Sequence, residues 1–120
     1  MNVAYWIVAG LLAAFYLYGG ALKVLRDQDG LRPMMAWVDS VPMPAVRAVG
    51  LSELLGAAGL VLPPLTGVAS WLAPAAAVGF VVLQIGATGV HLRLGDREVA
   101  LNLTLLATAA VTVWLATTWL

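Results

Sequence analysis

The chain has 120 residues, 62% of them hydrophobic and only 10% charged, with a formal net charge of zero and no cysteine. A soluble domain carries about one quarter charged residues, so this composition belongs in lipid, and the length allows one compact unit, 1–120, without a second domain. Zero net charge excludes a reader of nucleic acid, which needs a basic surface for phosphates, and the missing cysteines exclude disulfides, thiol catalysis and iron–sulfur ligation by this chain.

The first uncharged run, Val3 to Leu22, is 20 residues long, matching the ~20 that a helix needs to cross ~30 Å of hydrocarbon. It predicts a span over about 3–23. Without a basic start or an A-x-A site, it reads as a retained helix rather than a cleaved signal peptide. The segment from Val24 to Val46 then mixes Met34, Met35, Trp37, Val38 and Val41 with Asp27, Asp29, Arg32 and Asp39. This amphipathic pattern predicts an interfacial helix on the membrane surface rather than a substrate lid, with Pro33 placed to open it and Pro42 and Pro44 to stop it. A second span, about 44–62, is shorter and is interrupted by Glu53; "PPLTG", residues 63–67, reads as a tight turn. The uncharged runs Val68–Val90 and Val99–Leu120 predict spans over about 68–91 and 98–120. Four spans with these connections imply an all-α, antiparallel four-transmembrane-helix bundle with an interfacial amphipathic segment after the first helix. Close helix packing in lipid uses small residues, and Gly10 with Ala14, Gly56 with Ala57 and Gly59, Ala75 with Gly79, and Gly86 with Gly89 are the candidate faces.

With four crossings all six basic residues, Lys23, Arg26, Arg32, Arg47, Arg93 and Arg97, fall on one side. The positive-inside bias makes that side cytoplasmic, so the chain is expected in the inner membrane as a multi-pass protein with both termini outside. Tyr5, Trp6, Trp71 and Trp119 then gather at the outer boundary, where amphipathic rings prefer to sit.

Between Arg47 and His91, Glu53 is the only ionisable side chain. Six residues past Arg47 is ~9 Å of helix rise, which puts the carboxylate inside the membrane, where a charge costs ~3 kcal/mol and normally turns inward to a partner. Tyr16, Gly20 and Lys23 share a face of the first span at i, i+4 and i+7. Gln84, Thr88 and His91 repeat that spacing on the third, and Glu98 and Asn102 stand at i and i+4 on the fourth. The expected site is a polar pocket of Tyr16, Lys23, Glu53, Gln84, His91 and Asn102, with Glu53, His91 and Lys23 as the acid–base group and Tyr16, Gln84 and Asn102 as substrate-binding residues. A single histidine cannot build a multi-histidine metal site, so no metal is expected, and one axial haem ligand at His91 is the weaker cofactor candidate.

The "ELLGA" at Glu53, the "LP" and "TG" of the following turn, the "WL" after it, "HLR" at the end of the third span, "GGALKV" in the first and "LN" at Asn102 together resemble the pattern of DoxX-like membrane proteins over nearly the whole chain. The resemblance implies a four-helix integral membrane fold and a loose association with redox chemistry, since the family name derives from a small subunit of a thiosulfate:quinone oxidoreductase. It also implies that the recurrent polar positions of the family correspond here to Lys23, Glu53, His91 and Asn102.

Three functions fit these residues. The first is a site for a quinone-like or other small lipophilic molecule, whose oxygens are held by Lys23, His91 or Asn102 while Glu53 or His91 exchanges protons. The chain has no flavin fingerprint and no dinucleotide loop, so as an oxidoreductase subunit it would draw electrons from a redox partner protein or a bound cofactor. The second is a cofactor-independent isomerase, hydrolase or cyclase acting on a small apolar molecule. The third is a non-catalytic accessory subunit in which the polar group locks the helices together; a homo-oligomer is open in every case.

Overall fold

A computed structural model describes residues 2–33, 35–94 and 99–120. In chain order it contains α1 (Asn2–Leu25), a short α2 (Gln28–Leu31), a 3-10 turn (Ala36–Ser40), α3 (Met43–Thr66), α4 (Leu72–Leu94), α5 (Val99–Ala116) and a closing 3-10 turn (Thr117–Trp119). Helices α1, α3, α4 and α5 are each long and apolar enough to cross a membrane, and the longest dimension of the molecule is 40 Å, close to the ~40–45 Å of a whole bilayer. The all-α four-span bundle expected from the sequence is what forms. Helix α1 packs along α3 and α4 along α5; contacts between α3 and α4 and, more sparsely, between α1 and α5 close the ring.

Alternation of the helices puts Lys23, Arg26, Arg47 and Arg93 at one end, called here the basic end; Arg97 lies outside the described residues. At the opposite end Tyr5, Trp6 and Trp119 pack edge-on with ring centroids 5.5 to 6.0 Å apart. Trp71 is exposed beside the start of α4, away from that cluster. The core between the ends is made of small and aliphatic residues around Tyr16 and Phe80.

Two prolines do not end α3. The helix runs through Pro63 and Pro64 to Thr66, and the turn comes at Gly67, whose φ of 73° is one that glycine adopts without strain and whose N–H donates to the Pro63 carbonyl at 2.9 Å. The tight turn expected over 63–67 is therefore confined to its last residue. Pro64 has no N–H to give to the carbonyl four residues back, at Leu60. The Tyr5 hydroxyl fills that vacancy from α1, donating to Leu60 O at 2.6 Å. Both residues are fully buried, where an unsatisfied backbone carbonyl would cost several kcal/mol, on the order of the penalty for bare polar groups in hydrocarbon.

The segment after α1 departs from the single interfacial helix that the sequence suggests. Pro33 follows a helix instead of opening one, and Pro42 caps the start of α3, with Pro44 in its first turn. Proline fits the first helical turn because the N–H there has no intrahelical acceptor. What lies between is a strap. Asp27 caps α2 by accepting from the Gly30 N–H at 2.8 Å, and Arg32 bridges to Asp39 at 2.9 Å and to Asp29 at 2.8 Å. The Asp39 and then the Asp29 carboxylates hold the exposed guanidinium above its ordinary range. Leu31 and Val38 turn inward and close over Val46 of α3. Met34 lies outside the described residues.

The glycines that bring helices together are only partly those expected. A Cβ on Gly20 would lie 2.8 Å from the Gly50 carbonyl, and one on Gly50 would lie 2.6 Å from Lys23 Cβ, so α1 and α3 cross where neither can carry a side chain. Gly56 lies under the Phe80 ring and Gly59 against Ala76. Gly10, Gly79, Gly86 and Gly89 have nothing within 4 Å of the position a Cβ would take and join no helices. Three threonines of α5 are satisfied locally: Thr104, Thr108 and Thr112 each donate to the carbonyl four residues back at 2.8 to 2.9 Å.

Candidate functional site

The crossing of α1 and α3 places the charged pair. Because α1 and α3 run antiparallel, Lys23, three residues beyond Gly20, comes opposite Gly50, and Glu53, three beyond Gly50, comes opposite Gly20: a Cβ on Gly50 would lie 2.6 Å from Lys23 Cβ and one on Gly20 3.2 Å from Glu53 Cβ. Lys23 Nζ lies 2.6 Å from Glu53 Oε1, with the two side chains 11% and 4% exposed. Gly19 leaves room beside them, since a Cβ there would sit 3.5 Å from Glu53 Oε2. Arg47, on the first turns of α3, donates from its guanidinium to the carbonyls of Lys23, at 2.9 Å, and of Val24. Those carbonyls belong to the last turn of α1 and have no intrahelical donor, so the arginine caps α1 and fixes the backbone from which Lys23 reaches Glu53. Its positive charge also suits the negative end of that helix.

Deeper in the bundle the Tyr16 ring of α1 stacks on the Phe80 ring of α4, centroids 4.0 Å apart and planes within 7°. Phe80 reaches that position because Gly56 has no side chain in its path. The Gln84 side-chain amide donates to the Tyr16 hydroxyl.

Above this aromatic floor lies a cavity of about 660 Å³, within the range of small-molecule sites. All six residues selected from the sequence, Tyr16, Lys23, Glu53, Gln84, His91 and Asn102, line it, one or two from each spanning helix, and all six are buried. Thr88, on the same face of α4, is not among the lining residues, and Glu98 lies outside the described residues. Apolar side chains complete the wall, among them Leu83 and Leu105 from the bundle and Met35 and Val41 from the strap. Several polar atoms of the wall have no hydrogen-bond partner among the described residues: Glu53 Oε2, Gln84 Oε1 and Asn102 Nδ2. Buried polar groups are normally paired, so this ring of acceptors and a donor is suited to a molecule with polar atoms of its own. Among the described residues no three His, Asp or Glu side chains cluster as metal ligands.

Sequence reasoning missed the residues that build the site without lining it with polarity. The repeated spacing of Gly20 to Lys23 and Gly50 to Glu53 was a signal for the crossing; Phe80 and the capping role of Arg47 carried none.

The DoxX-like family model matches residues 7–113. The chain belongs to the DoxX-like family. All six polar cavity residues of this DoxX-like protein fall inside the matched stretch, whereas Trp119 of the aromatic end and the Tyr5 hydroxyl that serves Pro64 fall outside it. No curated protein and no solved structure matches the chain.

Proposed function

We propose that this integral membrane protein binds a small lipophilic molecule with a carbonyl- or hydroxyl-bearing ring, of the quinone type, in the polar cavity and exchanges protons with it through Glu53 and Lys23. The observation that carries this reading is the combination in one cavity of a buried Lys23–Glu53 pair with three polar atoms lacking partners, Glu53 Oε2, Gln84 Oε1 and Asn102 Nδ2. Side chains present only to hold helices together would pair with one another and leave no such remainder.

The chemistry follows from the donor set. An ammonium and a carboxamide N–H stabilise negative charge building on a ring oxygen, and a carboxylate removes a proton from a ring hydroxyl. Low dielectric strengthens each of these interactions. In a redox cycle the ring takes two electrons and two protons; Glu53 and Lys23 handle the protons, and a redox partner protein supplies the electrons. We further place the basic end at the cytoplasmic face of the inner membrane, on the positive-inside bias.

The test is equilibrium binding of a short-chain benzoquinone to the purified protein in lipid nanodiscs. Glu53→Gln is expected to weaken binding more than tenfold while the protein still elutes as a folded species. Undiminished binding by this variant would overturn the reading.

A further inference from the structure

We propose that the cavity takes a single-headed, hydrocarbon-tailed molecule directly from the bilayer, with its tail leaving the bundle sideways between α1 and α5. This rests on the cavity being a ligand site and adds the other half of the ligand and its route.

The cavity wall changes character within one residue on two neighbouring helices. On α1 the buried, inward-pointing Tyr16 and Lys23 share the wall with Phe15 and Tyr18, which are 42% and 62% exposed. Each step along a helix turns ~100°, so Phe15 and Tyr18 carry the wall round the flank of α1 and out to the lipid. On α5 the same happens between Asn102, 6% exposed, and Leu101, 44% exposed. These two flanks belong to the most sparsely joined pair of neighbouring helices in the ring. A polar interior is thus continuous with an apolar, bilayer-facing slot.

At the basic end an apolar cover meets the cavity. There the strap brings Met35 and Val41 onto the cavity wall, and both pack against its buried cluster of Leu31, Val38 and Val46. A ligand coming from water would first have to displace that apolar cover. On α4 Val82 and Val90 are exposed as well, and Val82 and Leu83 are shared with a second cavity, of about 350 Å³, between α3 and α4; but α3 and α4 are joined more closely than α1 and α5, with Phe80 seated over Gly56.

Energetics select a tailed ligand over a compact one. A polar head gains from leaving oil for a ring of N–H, hydroxyl and carboxylate groups. A hydrocarbon tail gains nothing by the same move, because lipid solvates it as well as protein does. The arrangement that satisfies both is a head beside Lys23 and Glu53 and a tail still in the bilayer.

The experiment uses the full chain in nanodiscs and two photoreactive decyl-benzoquinones, one with a diazirine on the ring and one with it on the third tail carbon, with labelled residues read by mass spectrometry. The ring probe is expected to label the wall around Glu53. The tail probe is expected to label Phe15, Tyr18 or Leu101, at least tenfold less when excess unlabelled decyl-benzoquinone is present. Tail labelling at Met35 and Val41, or at Val82 and Val90, overturns the α1–α5 route while leaving the ring site standing. Absence of competable ring labelling overturns the site and the route together.

Discussion

Lys23 and Glu53 form a contact at 2.6 Å between side chains that are nearly inaccessible. Removing one member of a buried pair strands the other and costs about 3–5 kcal/mol, whereas replacing both with packed apolar groups is close to neutral. Lys23→Met is therefore expected to lower stability by about 3–5 kcal/mol in unfolding titrations in mixed micelles. The double variant Lys23→Met with Glu53→Leu should recover most of that loss while quinone binding stays abolished, which separates the pair's chemistry from its contribution to the fold. Arg47→Ala removes two hydrogen bonds from a charged donor to the end of α1, each worth about 1.5–3 kcal/mol. Faster hydrogen exchange confined to the last turn of α1 is the expected signature. Glu53 and its partners were legible in the sequence because an ionisable group in oil must find company at its own depth, and helical spacing says which groups share that depth. Arg47 was legible only as a membrane boundary, since its acceptors are backbone carbonyls of another helix and depend on how the two helices cross.

Helix α3 contains a defect that another helix repairs. The Tyr5 hydroxyl serves the Leu60 carbonyl because Pro64 has no N–H, so Tyr5→Phe should destabilise the bundle by about 1–3 kcal/mol, the usual cost of an orphaned buried acceptor. In a Pro64→Ala background the new N–H restores the intrahelical bond, and the same Tyr5 substitution should then cost little; a double-mutant cycle in thermal melts reads this coupling directly. The α1–α3 crossing gives a second contrast. Gly50→Ala puts a methyl 2.6 Å from Lys23 Cβ and must push the helices apart, with loss of both stability and ligand binding, whereas Gly79→Ala meets nothing within 4 Å and should leave both unchanged or raise stability by up to ~1 kcal/mol. Glycine content alone could not rank these positions. Gly10, Gly86 and Gly89 resemble Gly20 and Gly50 in sequence, and only the packing shows which of them meet a neighbour. The prolines misled for a related reason: proline near a helix end is normally a stop, and the compensating tyrosine, on α1, lies 55 residues from the carbonyl it serves.

For the molecule as a whole, length, apolar runs and the clustering of basic residues were enough to read the four-span bundle, because a bilayer permits few architectures. The strap was harder, since its hydrophobic residues point to a surface helix by pattern, and the staples that fold it, Arg32 to Asp29 and Asp39, are local ion pairs with no periodic signature. The absence of cysteine makes orientation simple to measure. Single cysteines introduced as Asn2→Cys and Leu120→Cys should react with an impermeant maleimide on intact spheroplasts, and Ser40→Cys in the strap only after permeabilisation. The reverse pattern would place the basic end outside.

The lysine and glutamate are 30 positions apart, on consecutive crossings, and the lysine and the arginine that clamps its helix are both synthesised before the acid. When the translocon receives the segment with the carboxylate, its countercharge is already in place, so the costliest side chain in the protein need not wait in oil for the second half of the chain. The α1–α3 hairpin can assemble as the nascent unit on which the later pair docks.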